Sequence, residues 1–110
     1  MRVVRVVLLG CGTVGGSLVR LVRSHRELIR HRWGVEFLFS RILVRDLRKP
    51  RHGVPPELLT NCPEEALAAS SEVVVELIGG IQPSLGLIWR ALEMGRPVVT
   101  ANKALLAHHG

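Results

Sequence analysis

The sequence has no tyrosine and only two phenylalanines and two tryptophans, so no aromatic series interleaves with its basic residues. Base-stacking platforms for single-stranded nucleic acid need that interleaving. Cysteine is nearly as scarce. Cys11 and Cys62 show neither Cys-x-x-Cys spacing nor the dense framework of a small secreted domain, which points to a reducing cytoplasm. No apolar run approaches the roughly 20 residues that a membrane span requires. No signal-peptide pattern precedes the first strand-like run. Acidic residues are outnumbered, 9 against 15 basic, for a net charge of +6. Such an excess raises the question of nucleic acid. Apart from Lys49 and Lys103, however, the basic residues are arginines spread over helix faces and loops. Cofactor phosphates and solvated faces account for them, so neither a nucleic-acid nor a membrane partner is expected. His25, His31, His52, His108 and His109 lack the pairing of a metal site, and none is expected.

What the sequence does have is a strong opening. The β-branched apolar run Val3 to Leu9 feeds directly into Gly10-Cys11-Gly12-Thr13-Val14-Gly15-Gly16, and a helical pattern follows. In a Gly-x-Gly-x-x-Gly strand–helix turn, Gly10 permits the tight turn and Gly12 admits a pyrophosphate close to the backbone. Gly15 lets the helix pack on the strand. The phosphates then rest on the helix N-terminus, where N–H groups and the dipole favour negative charge. Cys11 reads either as a small residue filling the loop or as a reactive thiol.

One helix is expected over Thr13–Arg30, with Val14, Leu18, Leu21, Val22, Leu28 and Ile29 inward. Arg20, Arg23, Arg26 and Arg30 then form a solvated face. A second strand, Val35–Val44, ends in Arg45-Asp46 and the basic loop Leu47 to Arg51. Glu36 has nearly the spacing of a ribose-binding acid but lies at the wrong end of that strand, whereas Asp46 lies at the right end. Arg45 suits a ribose 2′-phosphate or an adenine face; both it and Asp46 also read as ordinary charges closing a strand. A short strand or turn is expected at Leu58-Leu59 and a short helix over Glu64–Ala69. A buried strand, Glu72–Ile78, ends in Gly79-Gly80, which serves either close approach of a flat ligand or a simple turn. A helix from Pro83 stops at Gly95, and Pro97–Thr100 forms a last strand leading to Ala101-Asn102-Lys103. Lys103 reads either as a cleft residue or as a solvated charge. The β-α-β alternation predicts one α/β domain over residues 1–110, a Rossmann-type doubly wound parallel sheet.

Four segments together resemble the N-terminal NAD(P)-binding domain of the homoserine dehydrogenase family. They are the glycine loop, Val44-Arg45-Asp46-Leu47-Arg48-Lys49-Pro50-Arg51, Val74-Val75-Glu76-Leu77-Ile78-Gly79-Gly80, and the run from Val98 through Thr100-Ala101-Asn102-Lys103 to Ala107. The resemblance implies an oxidoreductase domain acting in the reversible NAD(P)-dependent reduction of aspartate 4-semialdehyde to homoserine, toward threonine, methionine and isoleucine. It implies that Thr13 and Val14 meet the pyrophosphate, and that Arg45 lies near the adenosine ribose or its phosphate. Ile78 and Gly79 then lie near the nicotinamide half, with Lys103 against cofactor and substrate as the catalytic candidate. Family members continue into a substrate-binding and dimerisation region with the acidic substrate contacts, the acid/base lysine and a monovalent-cation site. The complete enzyme is accordingly expected to be a homo-oligomer that takes a small-molecule substrate.

Without that region these residues supply half of a cleft. The expectation is a chain that binds dinucleotide weakly, NADP(H) above NAD(H), and does not turn over homoserine. An apolar surface is expected around Ile78, Ile81 and Leu105-Leu106. Competing readings are a non-catalytic NAD(P)-binding or redox-sensing module, and another two-domain aldehyde reductase.

Overall fold

The computed structural model describes residues 2–78 and 82–100. The chain runs β1 (Arg2–Leu9), α1 (Thr13–Ser24), α2 (Arg26–Trp33), β2 (Val35–Leu43), a single 3-10 turn (Pro56–Leu58) and β3 (Leu59–Thr60). It continues through α3 (Pro63–Ala68), β4 (Val73–Glu76), α4 (Gln82–Glu93) and β5 (Val98–Thr100). The five strands form one parallel sheet in the order β3-β2-β1-β4-β5. This is the doubly wound arrangement expected from the β-α-β alternation.

The alternation of side chains along β1 builds both layers. Val7 and Leu9 face one side, packing with Ala66 and Leu67 of α3 and Leu87 and Ala91 of α4. Leu8 faces the other, packing with Val19 of α1, Ile42, Val44 and Val54. Val7, Leu8 and Leu9 have no exposed surface, as a central strand covered on both faces requires. The chain leaves β1 for one face and β4 for the other, although the two strands are neighbours. A crevice opens at such a reversal, beyond the carboxyl ends of the strands.

Two expectations about the first helix are corrected. It breaks after Ser24, because the Ser24 hydroxyl (3.2 Å) and the His25 ring (3.0 Å) both turn back to the Leu21 carbonyl. Side chains that bond their own backbone compete with the helix in this way. The second piece, α2, ends at Gly34, whose φ of +66° closes it in a left-handed cap. The inward face is also narrower than expected. Val19 is the fully buried residue, Leu18 and Val22 are half-buried, and Val14, Leu21 and Leu28 are exposed.

Nor are all the arginines of this face simply solvated. Arg26 pairs with Glu36, whose side chain is 9% exposed, at the entry end of β2. Glu36 is therefore spent on the fold, remote from the strand ends where ligands bind. Arg20 donates to the His52 carbonyl (3.0 Å) and the Ser17 hydroxyl (3.3 Å), fastening the loop after β2 onto α1. The later elements keep to the sequence reading within a residue or two, with Cys62 as the N-cap of α3 and Gly95 (φ +76°) just past α4.

Candidate functional site

The carboxyl ends of β1, β2 and β4 surround a cleft of about 710 Å³. Its floor is the glycine loop, and the structure gives each glycine a separate reason. Gly10 has φ +95°, and a Cβ there would lie 3.0 Å from the Ile78 side chain and 3.1 Å from the Ile78 N and Cα. Gly15 is buried, and its Cβ would lie 3.0 Å from the Gly10 carbonyl, so α1 sits hard against the turn. Gly12, the N-cap of α1, differs: nothing lies within 4 Å of its would-be Cβ. That open space belongs to the cleft. No side chain caps α1 and its first turn carries no acid, so the helix supplies no anion of its own to compete for its first N–H groups.

One wall comes from the end of β2. Val44, Arg45, Asp46, Lys49 and Arg51 line it, three cations against one carboxylate. Asp46 uses Oδ1 to accept the Arg48 N–H at 2.9 Å, which tightens its own loop. Arg48 turns back to the same oxygen at 3.4 Å and stays outside the cleft lining. Arg51 donates from one terminal nitrogen to the carbonyls of Asp46 and Lys49, both at 2.9 Å, and so acts as the hub of the loop. Such a wall favours a phosphate-bearing ligand. The Cys11 thiol between these elements is pushed above its usual pKa by burial, with the Arg51 and Arg20 charges pulling it back in part. A thiol so placed carries less thiolate than an ordinary cysteine, which favours the loop-filling reading over the reactive one.

The opposite wall is Leu77, Ile78 and Leu87, with Asn61 and Pro63 closing the side. Of the residues expected at a site, Gly10, Gly12, Arg45 and Ile78 therefore line one cleft. Val14 is 65% exposed on the first turn of α1, and Gly15 supports the turn from beneath. Thr13 opens α1; its side chain, Gly79 and Lys103 lie outside the described residues. So do Ile81, Leu105 and Leu106 of the expected apolar surface. Ile78 packs on the core; among the described residues, exposed large apolar side chains include Val14, Leu21 and Trp33 on the first two helices as well as Trp89, Leu92, Met94 and Val99 at α4 and β5.

Sequence reasoning missed one buried residue beside the cleft. Glu76 ends β4 with no exposed surface, accepting the Ile78 N–H at Oε2 (2.6 Å) and the Thr100 hydroxyl at Oε1 (2.5 Å). An acid in phase with buried Val74 inside an otherwise apolar strand was the available signal.

Among the described residues no helix is long and apolar enough to cross a membrane, and no His/Cys/Asp/Glu cluster could hold a metal ion. Residues 10–110 match the family model for the homoserine dehydrogenase NAD-binding domain. The homoserine dehydrogenase of Corynebacterium glutamicum is 44% identical over 110 residues, 96% of this chain and 24% of that protein. That of Bacillus subtilis is 37% identical over 112 residues, covering 100% of this chain and 26% of the relative. The crystal structure of a homoserine dehydrogenase from Thiobacillus denitrificans superposes with a TM-score of 0.89 at 39% identity, over 98% of this chain and 25% of that one. The chain thus spans about a quarter of the length of the relatives it matches.

Proposed function

This chain belongs to the homoserine dehydrogenase family and carries its NAD-binding domain; on that premise we propose that it holds the dinucleotide for the reversible reduction of aspartate 4-semialdehyde to homoserine. The observation that carries the reading is the open face of Gly12 at the crevice between β1 and β4, under the uncapped start of α1. A methyl group would occupy the space that a pyrophosphate needs, so the cradle fits the group. When bound, the reduced dinucleotide supplies a hydride to the aldehyde carbon, and the oxygen takes up a proton to give the alcohol.

The residues divide the task along the sheet edge. Gly10, Gly12, Thr13, Val14 and Gly15 form the pyrophosphate turn. Arg45, with Lys49 beside it, receives the adenosine ribose, and the excess of cations favours a 2′-phosphate, so NADP(H) binds more tightly than NAD(H). Ile78 and Gly79 border the nicotinamide. Lys103, three residues past β5 in sequence, is the catalytic candidate: its ammonium would stabilise the oxygen as negative charge develops on it. The charged lining residues stand on the wall assigned to the adenosine half, and the wall assigned to the nicotinamide, Leu77, Ile78 and Leu87, is apolar. The 110-residue chain is therefore read as a binding half that does not turn over alone, in an enzyme that works as a homo-oligomer. The free thiols of Cys11 and Cys62 suit a reducing cytoplasm.

Calorimetry of the chain with NAD+ and NADP+, beside an absorbance assay with homoserine, tests the reading. Saturable binding without turnover is the expected result, and absence of binding overturns it. In the complete enzyme, Lys103→Ala should lower kcat far more than it raises the cofactor KM; the reverse pattern makes Lys103 a binding residue only.

A further inference from the structure

Glu76 is the described acid with no exposed surface, and the core does not explain it. A fourth valine would continue Val73-Val74-Val75 without the desolvation penalty of a carboxyl group. What the carboxyl group supplies is two acceptors aimed at two strand exits. Oε2 takes the N–H of Ile78, where the chain turns out of β4, and Oε1 takes the hydroxyl of Thr100, the last residue of β5. Ile78 in turn lies against Gly10, close enough that a Cβ there would be 3.1 Å from its backbone. A single side chain thereby ties together the exits of β1, β4 and β5. Those exits lead into the glycine loop, into Gly79-Gly80 and into Ala101-Asn102-Lys103.

We infer that Glu76 is a positioning residue for the nicotinamide half of the dinucleotide. It works from beneath, fixing the Ile78 amide and the Thr100 side chain, and does not itself touch the ligand. The inference rests on the dinucleotide reading given above. Its physical content is preorganisation: a wall held in place by two part-buried bonds loses little entropy when a flat ring settles against it. The adenosine half lies across β1 on the wall built by Arg45, Asp46 and Lys49, none of which bonds to Glu76. The two halves of the ligand should therefore respond differently to a change at this position.

The test compares NAD+ with ADP-ribose, which has the adenosine and pyrophosphate but no nicotinamide. Wild-type chain should bind NAD+ more tightly than ADP-ribose. Glu76→Met keeps the volume and removes both acceptors. It should weaken NAD+ by about tenfold, to the level of ADP-ribose, while ADP-ribose stays within about twofold. Glu76→Gln keeps a carbonyl for the Ile78 N–H and an amide that can donate to Thr100, so it should recover most of the loss. Thr100→Val should show a smaller loss, again confined to NAD+. Equal losses of the two ligands, or a Gln variant as impaired as Met, mean a merely structural role and overturn the inference. If Glu76→Met does not fold, Thr100→Val decides, and an unchanged ratio overturns it. Wild-type chain that binds ADP-ribose as tightly as NAD+ refutes this inference alone, whereas chain that binds neither refutes the dinucleotide reading itself.

Discussion

Gly10 and Gly12 stand two residues apart, yet substitution by alanine should damage different properties. At Gly10 the backbone has φ +95°, where an L side chain costs roughly 1–2 kcal/mol. The methyl would also meet Ile78 at 3.0 Å, with the Ile78 N and Cα at 3.1 Å. Those are backbone atoms, and Glu76 holds the same amide, so the neighbour cannot yield cheaply. Overpacking of this kind adds roughly 1–3 kcal/mol, for a total of roughly 2–5 kcal/mol. Against the roughly 5–15 kcal/mol of a typical domain this is severe. At about 4 °C or more per kcal/mol, the midpoint of thermal unfolding should drop by roughly 8–20 °C. At Gly12 the φ of −85° suits alanine and nothing stands within 4 Å of the methyl. The poorer N-cap costs about 0.5–1 kcal/mol, a shift of a few degrees. The methyl nevertheless fills the approach to the first-turn N–H groups. Loss of a charge-assisted bond there weakens NAD+ by roughly tenfold to a hundredfold. Circular-dichroism melts and calorimetry on the two variants separate the effects. A Gly10→Ala protein that melts like wild type, or a Gly12→Ala protein that binds NAD+ like wild type, would refute the reasoning.

Arg45→Ala should weaken NADP(H) by about 1.5–3 kcal/mol, the worth of a charge-assisted bond, and leave NAD(H) nearly unchanged; equal losses in calorimetry mean that Arg45 stacks on adenine or serves the fold. Arg26→Met leaves Glu36 without its partner and should cost about 1 kcal/mol in a urea titration, discounted because Arg26 is 54% exposed. Dinucleotide affinity should not change, since Glu36 lies opposite Val3, at the far end of β1 from the cleft. The Glu64 carboxyl is held below its usual pKa by its own backbone N–H first, then by Cys62 and Arg90. A depressed folded-state value stabilises above the ordinary carboxylate range, and that contribution disappears as pH falls through the lower value. Glu64→Gln should therefore shrink the loss of stability on acidification, read as melting temperature against pH; an unchanged acid limb counts against it.

The centre of the sheet was legible because β1 and β4 carry their burial in their own residues. Val6 to Leu9 and Val73 to Val75 are apolar without alternation, which suits only strands covered on both faces. The break at Ser24 was not legible. The apolar spacing runs on past it, and what stops the helix is a contest for one carbonyl that periodicity does not weigh. The fates of Arg20 and Arg26 were hidden for a related reason. Both belong to helix faces that read as solvated, and each finds its partner only when the loop after β2 or the entry of β2 folds beside it.

The site divides along the same line. A glycine demands nothing beyond its own position, so Gly10, Gly12 and Gly15 could be given roles from spacing alone; Gly10 lies against Ile78 and Gly15 against the Gly10 carbonyl, whereas nothing lies within 4 Å of a Cβ at Gly12. Asp46 and Arg51 act by bonding loop carbonyls and amides, and no spacing rule encodes which of the loop's charges closes it and which is left to the cleft. The outcome matters for chemistry. With the Asp46 and Arg51 side chains engaged in the loop, Arg45 and Lys49 are the lining charges whose side-chain nitrogens take no part in that hub. An acid beside an arginine at the end of β2 thus does not by itself decide between a ribose hydroxyl and a ribose phosphate. The decision belongs to whichever group the loop leaves unspent.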